Sequence, residues 1–88
     1  MDDWKFVKLA KEAVVNYFNT EHINGGKIGE GNVYVVWLCK TLQNNKALLG
    51  TDHDDIYYEI TYNGDKNEMY LDAYKKWDNK CIKDVLVK

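Results

Sequence analysis

Apolar residues recur every third or fourth position in the first quarter of the chain, and every second position from Asn32 onward. The first period is helical. At about 100° per residue, Phe6, Val7, Ala10, Ala13, Val14 and Tyr17 gather on one face, and Lys5, Lys8, Lys11, Glu12, Asn16 and Asn19 on the other. Trp4, Val15 and Phe18 belong to neither set and form a second apolar stripe at the edge of the polar face. Asp2 or Asp3 suits the N-cap, where a carboxylate meets the positive end of the helix dipole. Asn24-Gly25-Gly26 supplies a stop, so the helix is predicted to run to about Asn24.

The glycine-rich stretch Gly25–Gly31 follows a helix and opens a strand. Phosphate-binding loops have the reverse order, strand then helix, so this one reads as a connector. The two-residue period then predicts strands at Val33–Leu42, Ala47–Thr51, Ile56–Tyr62 and Met69 to about Trp77. Gln43-Asn44-Asn45-Lys46, Asp52–Asp55 and the turn opened by Asn63-Gly64 separate them. After Asp78-Asn79-Lys80, Cys81–Val87 is a fifth strand or a tail laid on the sheet. Short turns force antiparallel neighbours. Residues 1–88 are therefore predicted to be a single α+β domain, one N-terminal amphipathic helix packed on a four- or five-stranded antiparallel meander sheet.

An even-length loop at Asn63-Gly64 sets Ile56, Tyr58, Ile60 and Tyr62 on the same face as Met69, Leu71 and Ala73. That is the natural surface for the helix to cover. The opposite face then carries Tyr57, Glu59 and Thr61 beside Tyr70, Asp72 and Tyr74. In the first strand Val33, Val35, Trp37 and Cys39 alternate with Tyr34, Val36, Leu38 and Leu42, so both faces are apolar. One helix covers one side of a sheet. The other side needs the tail Ile82–Val87, a second copy in a homodimer, or a partner protein.

Composition narrows the chemistry. With 45% hydrophobic and 30% charged residues, the 88-residue chain is of ordinary globular type. Its net charge of −2 gives no general attraction to nucleic acid. All 12 basic residues are lysines, so the arginine fork that recognises phosphate or guanine is absent. Serine is absent too, which excludes a serine nucleophile. A cysteine nucleophile would need Cys39 or Cys81 beside His22 or His53, but Cys39 next to Trp37 reads as a packed structural thiol. Glu59 and Asp72, cross-strand on an open face, read as solvated acids rather than an acid–base pair. The spacing of His22, Cys39, His53 and Cys81 matches no paired-ligand zinc pattern. His53 and Asp55 in the Asp52–Asp55 turn are the weak candidates for a divalent metal; an Asp-rich turn more often caps its own backbone. No catalytic residue and no cofactor are expected. The charged N-terminus has no apolar leader, and no apolar run approaches the roughly 20 residues of a membrane span.

Tyr57, Tyr70 and Tyr74 could stack bases, with Lys75, Lys76, Lys80 and Lys83 nearby. That keeps a single-stranded nucleic-acid-binding role open as the alternative. Glu59 and Asp72 lie among the rings and repel phosphate, whereas tyrosine and tryptophan favour protein interfaces. The expected partner-binding residues are Tyr57, Glu59, Tyr70, Asp72 and Tyr74, with Trp4 and Phe18 as a second surface.

The blocks VYVVWLCKTLQNNKALL (Val33–Leu49) and YYEITYNGDKNEMYLDAYKKW (Tyr57–Trp77) resemble a family of small uncharacterised proteins from phages and prophages of low-GC Gram-positive bacteria. The likeness covers most of the chain, including the helix. It implies a phage-encoded accessory protein of the infected host's cytoplasm and supplies no catalytic residues to carry over. Small phage proteins commonly bind and block a host protein. By analogy, the sharpest expectation is an anti-CRISPR inhibitor of an RNA-guided nuclease.

Overall fold

The computed structural model describes residues 1–21 and 26–86. One helix, α1 (Asp3–Glu21), precedes a short 3-10 turn (Glu30–Asn32) and four strands, β1 (Val33–Thr41), β2 (Asn44–Thr51), β3 (Ile56–Asn63) and β4 (Glu68–Lys75). The strands form an open antiparallel sheet in the order β1-β2-β3-β4. The α+β meander read from the periodicity is correct, with four strands, the lower of the two expected counts, among the described residues.

Helix α1 starts where the carboxylate of Asp2 accepts the Lys5 N–H at 2.8 Å, the N-cap bond its first turn requires. The stop at Asn24-Gly25 lies outside the described residues. The buried stripe is Phe6, Ala10, Val14 and Phe18, four residues apart. This row is inclined about 26° to the helix axis, so the contact line runs obliquely across the helix where it meets a twisted sheet. Phe18 therefore lies in the core at 1% exposure, with its ring edge-on to His53; its expected role as a surface contact is wrong. Asn19, expected on the solvent side, instead clamps the connector. Its amide donates to the Ile28 carbonyl at 3.1 Å and accepts the Ile28 N–H at 2.9 Å, which seats Ile28 in the core.

Helix α1 lies over β1 and β2 and reaches β3 through Tyr58 and Ile60, both fully buried. Tyr58 donates its hydroxyl to Asp54 at 2.7 Å and meets Tyr17 edge-on. Burial, then the hydrogen bond to Asp54, pushes the Tyr58 phenol above its ordinary value.

Two hairpins differ from the sequence reading. The β1–β2 turn is Leu42-Gln43 alone, with Asn44 and Asn45 already paired in β2. Leu42 takes a left-handed φ of 55°, which costs a non-glycine residue about 1–2 kcal/mol. The β3–β4 loop is Gly64–Asn67, with Asn63 still paired in β3 and Asn67 in the left-handed position (φ 52°). Gly64 is needed for its lack of a side chain: a Cβ there would collide with the Gln43 carbonyl. Gln43 also donates to Asp65 at 2.5 Å, which ties the two hairpin tips together.

Beyond β4 the chain forms no fifth strand among the described residues, and it does not cover the sheet. Trp77 is 98% exposed, and Ile82, Val85 and Leu86 are also solvent-exposed. No helix among the described residues is long and apolar enough to cross a membrane.

Candidate functional site

The sheet face turned away from α1 is built by register. The four-residue loop has even length, so Tyr57 pairs with Tyr74, Glu59 with Asp72 and Thr61 with Tyr70, as parity requires. The five sheet residues expected to bind a partner thus share one surface. Tyr70 and Tyr74 are about half exposed, and Tyr57 and Glu59 are more enclosed.

This surface is larger than the sequence suggested, because β1 contains a bulge. Val35 pairs with Leu49 and Trp37 with Leu48, which leaves Val36 as an extra residue. Simple alternation would put Trp37 on the same side as Val33 and Val35. The bulge moves it to the outer face, with Tyr34 and Cys39, and turns Leu38 and Lys40 inward opposite Ala47 and Asn45. Three rows then cross the sheet: Tyr34–Gly50–Tyr57–Tyr74, Trp37–Leu48–Glu59–Asp72 and Cys39–Lys46–Thr61–Tyr70. The ring of Tyr34 lies against Gly50, so close that a Cβ there would be 2.6 Å from Cζ and the hydroxyl oxygen. Glycine opposite an aromatic residue lets the ring cover bare backbone.

Charges on this face are few and mostly acidic. Lys46 pairs with Glu59 at 3.5 Å, a neighbour missed because Lys46 was expected in a turn. Tyr70 donates its hydroxyl to Glu68, which holds its phenol above the ordinary value. Lys75 lies in register with Ile56 on the other face, and Lys76 and Lys80 follow the end of β4. The basic group therefore does not interleave with the tyrosines, as a base-stacking platform requires.

The remaining expectations separate from this surface. Trp4 is 86% exposed on α1, on the other side of the sheet, where it lines an open depression of about 540 Å³ with Val7, Lys5, Lys8, Lys11 and Glu30. Cys39 is exposed on the outer face rather than packed, and both Cys39 and Cys81 are free thiols.

In the Asp52–Asp55 turn, Asp54 is engaged by the Thr51 hydroxyl at 3.0 Å, the Ile56 N–H at 3.2 Å and Tyr58. Asp52 sits 2.5 Å from His53 Nδ1, and that hydrogen bond lowers the Asp52 carboxyl. These carboxylates serve the turn. Among the described residues no three His, Cys, Asp or Glu side chains converge as metal ligands; His22 lies outside them.

One family model, described as a family of unknown function (DUF6275), matches residues 7–84. No curated protein and no solved structure matches the chain.

Proposed function

The chain belongs to the DUF6275 family, of unknown function, and we propose that it is a non-enzymatic binding protein whose outer sheet face takes a protein partner. One observation carries this reading: Tyr34, Trp37, Tyr57, Tyr70 and Tyr74 share one open sheet face, with Glu59 and Asp72 among them, that no described segment of the chain covers. Open aromatic patches of this kind mark interaction sites, because tyrosine and tryptophan bury large areas with few rotors to freeze. The acids Glu59 and Asp72 favour a partner with basic groups around its apolar contact, including a groove that otherwise holds nucleic acid.

In its finer form, the protein is phage-encoded and works in the cytoplasm of the infected host, where it inhibits a host factor. The likeness of Val33–Leu49 and Tyr57–Trp77 to phage and prophage proteins supports that form. An RNA-guided CRISPR nuclease is the specific candidate. The test is a cleavage assay with increasing protein. Inhibition that saturates at one equivalent, and is lost in Tyr70→Ala/Tyr74→Ala with circular dichroism unchanged, supports a surface-binding inhibitor. Substoichiometric, turnover-like inhibition points to an enzyme instead.

A further inference from the structure

The two edges of the sheet are guarded very differently. Edge β1 carries the Val36 bulge and an inward-facing lysine, Lys40, whose ammonium donates to the Met1 carbonyl at 2.9 Å. Bulges and inward charges are the usual devices that stop edge-to-edge pairing. Edge β4 has no bulge, and its inward-facing charge, Lys75 opposite Ile56, comes only at its last residue. The strand is eight residues long, pairs with β3 without a register shift, and the chain contains no proline. Its inner row is Met69, Leu71 and Ala73, ended by Lys75. Because α1 lies over β1 and β2, Met69 stays 37% exposed and Ala73 is exposed. The β4 edge thus offers unpaired backbone together with an uncovered apolar row.

We infer that β4 pairs antiparallel with β4 of a second copy, with Leu71 opposite Leu71 across a two-fold axis. Symmetry leaves few choices. Two-fold antiparallel pairing keeps each face continuous, so inner residues must oppose inner residues. Centring on Leu71 sets Met69 against Ala73, Tyr70 against Asp72 and Glu68 against Tyr74. The neighbouring permitted registers are worse. Centring on Asp72 opposes two carboxylates, and centring on Tyr70 opposes Asp72 to Glu68 twice, and like charges directly opposite are destabilising. Centring on Leu71 opposes no like charges within the strand, leaves Glu68 diagonal to the partner's Lys76, and joins the two inner rows into one apolar strip. The product is an eight-stranded sheet with both helices on one side and both outer faces on the other. The inference stands apart from the proposed function, since the outer face stays open.

The test uses the full chain with Cys39 and Cys81 replaced by alanine. In that background Leu71→Cys brings two thiols together at Cα spacings of about 4.5–5.5 Å, within disulfide range. Under mild oxidation it should form a covalent dimer at least ~10-fold faster than Asp65→Cys, an exposed loop thiol, because pairing raises the effective concentration. Met69→Cys and Ala73→Cys should cross-link with each other when mixed and slowly alone. Circular dichroism confirms that each variant is folded, and sedimentation velocity of the parent should show a concentration-dependent dimer. Leu71→Cys cross-linking no faster than Asp65→Cys overturns the inference, whether the parent is monomeric or dimerises elsewhere. Fast self-cross-linking of Trp37→Cys, which would put the second copy on the outer face, overturns it as well.

Discussion

Replacing Gly50 by alanine should move Tyr34 without unfolding the sheet. The new Cβ would sit 2.6 Å from Cζ and the hydroxyl oxygen of Tyr34 and 2.9 Å from Cε2. Ordinary carbon contacts are about 3.5–4.0 Å, so the ring must lift by about 1 Å. It is 48% exposed and can swing outward. A fully buried aromatic side chain covers about 150–250 Å²; Tyr34 covers roughly half of that, and losing half again forfeits ~50 Å². At ~25 cal/mol/Å² this costs about 1.2 kcal/mol. Alanine's narrower unfolded ensemble offsets about 0.5–1 kcal/mol of it. The net loss should stay below about 1 kcal/mol, a fall in Tm within roughly 6 °C for a chain of this size. Proton NMR reads the geometry directly. The Gly50 Hα signals should be shifted upfield by the ring, and Tyr34→Leu should abolish that shift. An ordinary Gly50 Hα position in the parent, or a Tm loss above about 10 °C in Gly50→Ala, would refute the ring-on-glycine arrangement.

The helix stripe makes a contrasting pair. Phe18→Ala should cost about 3–5 kcal/mol in urea denaturation, and Trp4→Ala should stay within about 0.5 kcal/mol; similar losses would contradict the inclined stripe. Deleting Val36 should leave a folded protein with Trp37 still outward, because it removes only the bulge residue. Deleting Leu38 should drive Trp37 inward and markedly lower the denaturation midpoint, and equal tolerance of both deletions would sink the register. Tyr58→Phe should cost about 1.5–3 kcal/mol through the lost bond to Asp54. Because the folded Tyr58 phenol is raised, its contribution is fully present below the ordinary phenol value of about 10. It declines above that pH as the unfolded chain ionises first. The parent should therefore lose stability above about pH 10 more steeply than Tyr58→Phe, and parallel alkaline slopes would contradict the buried phenol.

Much of this was legible in the sequence, and the misses share a cause. Strand periodicity and turn chemistry are local, so the four strands, the Asp2 cap and the split between Tyr58 and Tyr57 could be read directly. Loop parity then carried the pairing of Tyr57, Glu59 and Thr61 with Tyr74, Asp72 and Tyr70. The Val36 bulge left only a trace, a strand apolar on both faces, and that trace fitted a missing cover equally well. Phe18 was misplaced because its burial depends on the angle at which α1 crosses the sheet, a tertiary quantity. Asn63-Gly64 reads as the opening of a turn, but the Gln43 carbonyl packed against Gly64 is visible only in three dimensions. Lys46 became a partner of Glu59 because the first hairpin turned two residues earlier than its asparagines suggested.

The most direct measurement of the central claim is quantitative affinity capture from a lysate of a low-GC Gram-positive bacterium, the host that the proposed phage origin implies. The parent, Trp4→Ala and Tyr70→Ala/Tyr74→Ala are compared at equal loading. The outer-face account predicts one protein retained at equal yield by the parent and by Trp4→Ala, and lost at least ~30-fold by the double variant, as removal of an interface hot spot implies. Undiminished capture by the double variant, or a loss confined to Trp4→Ala, would contradict it.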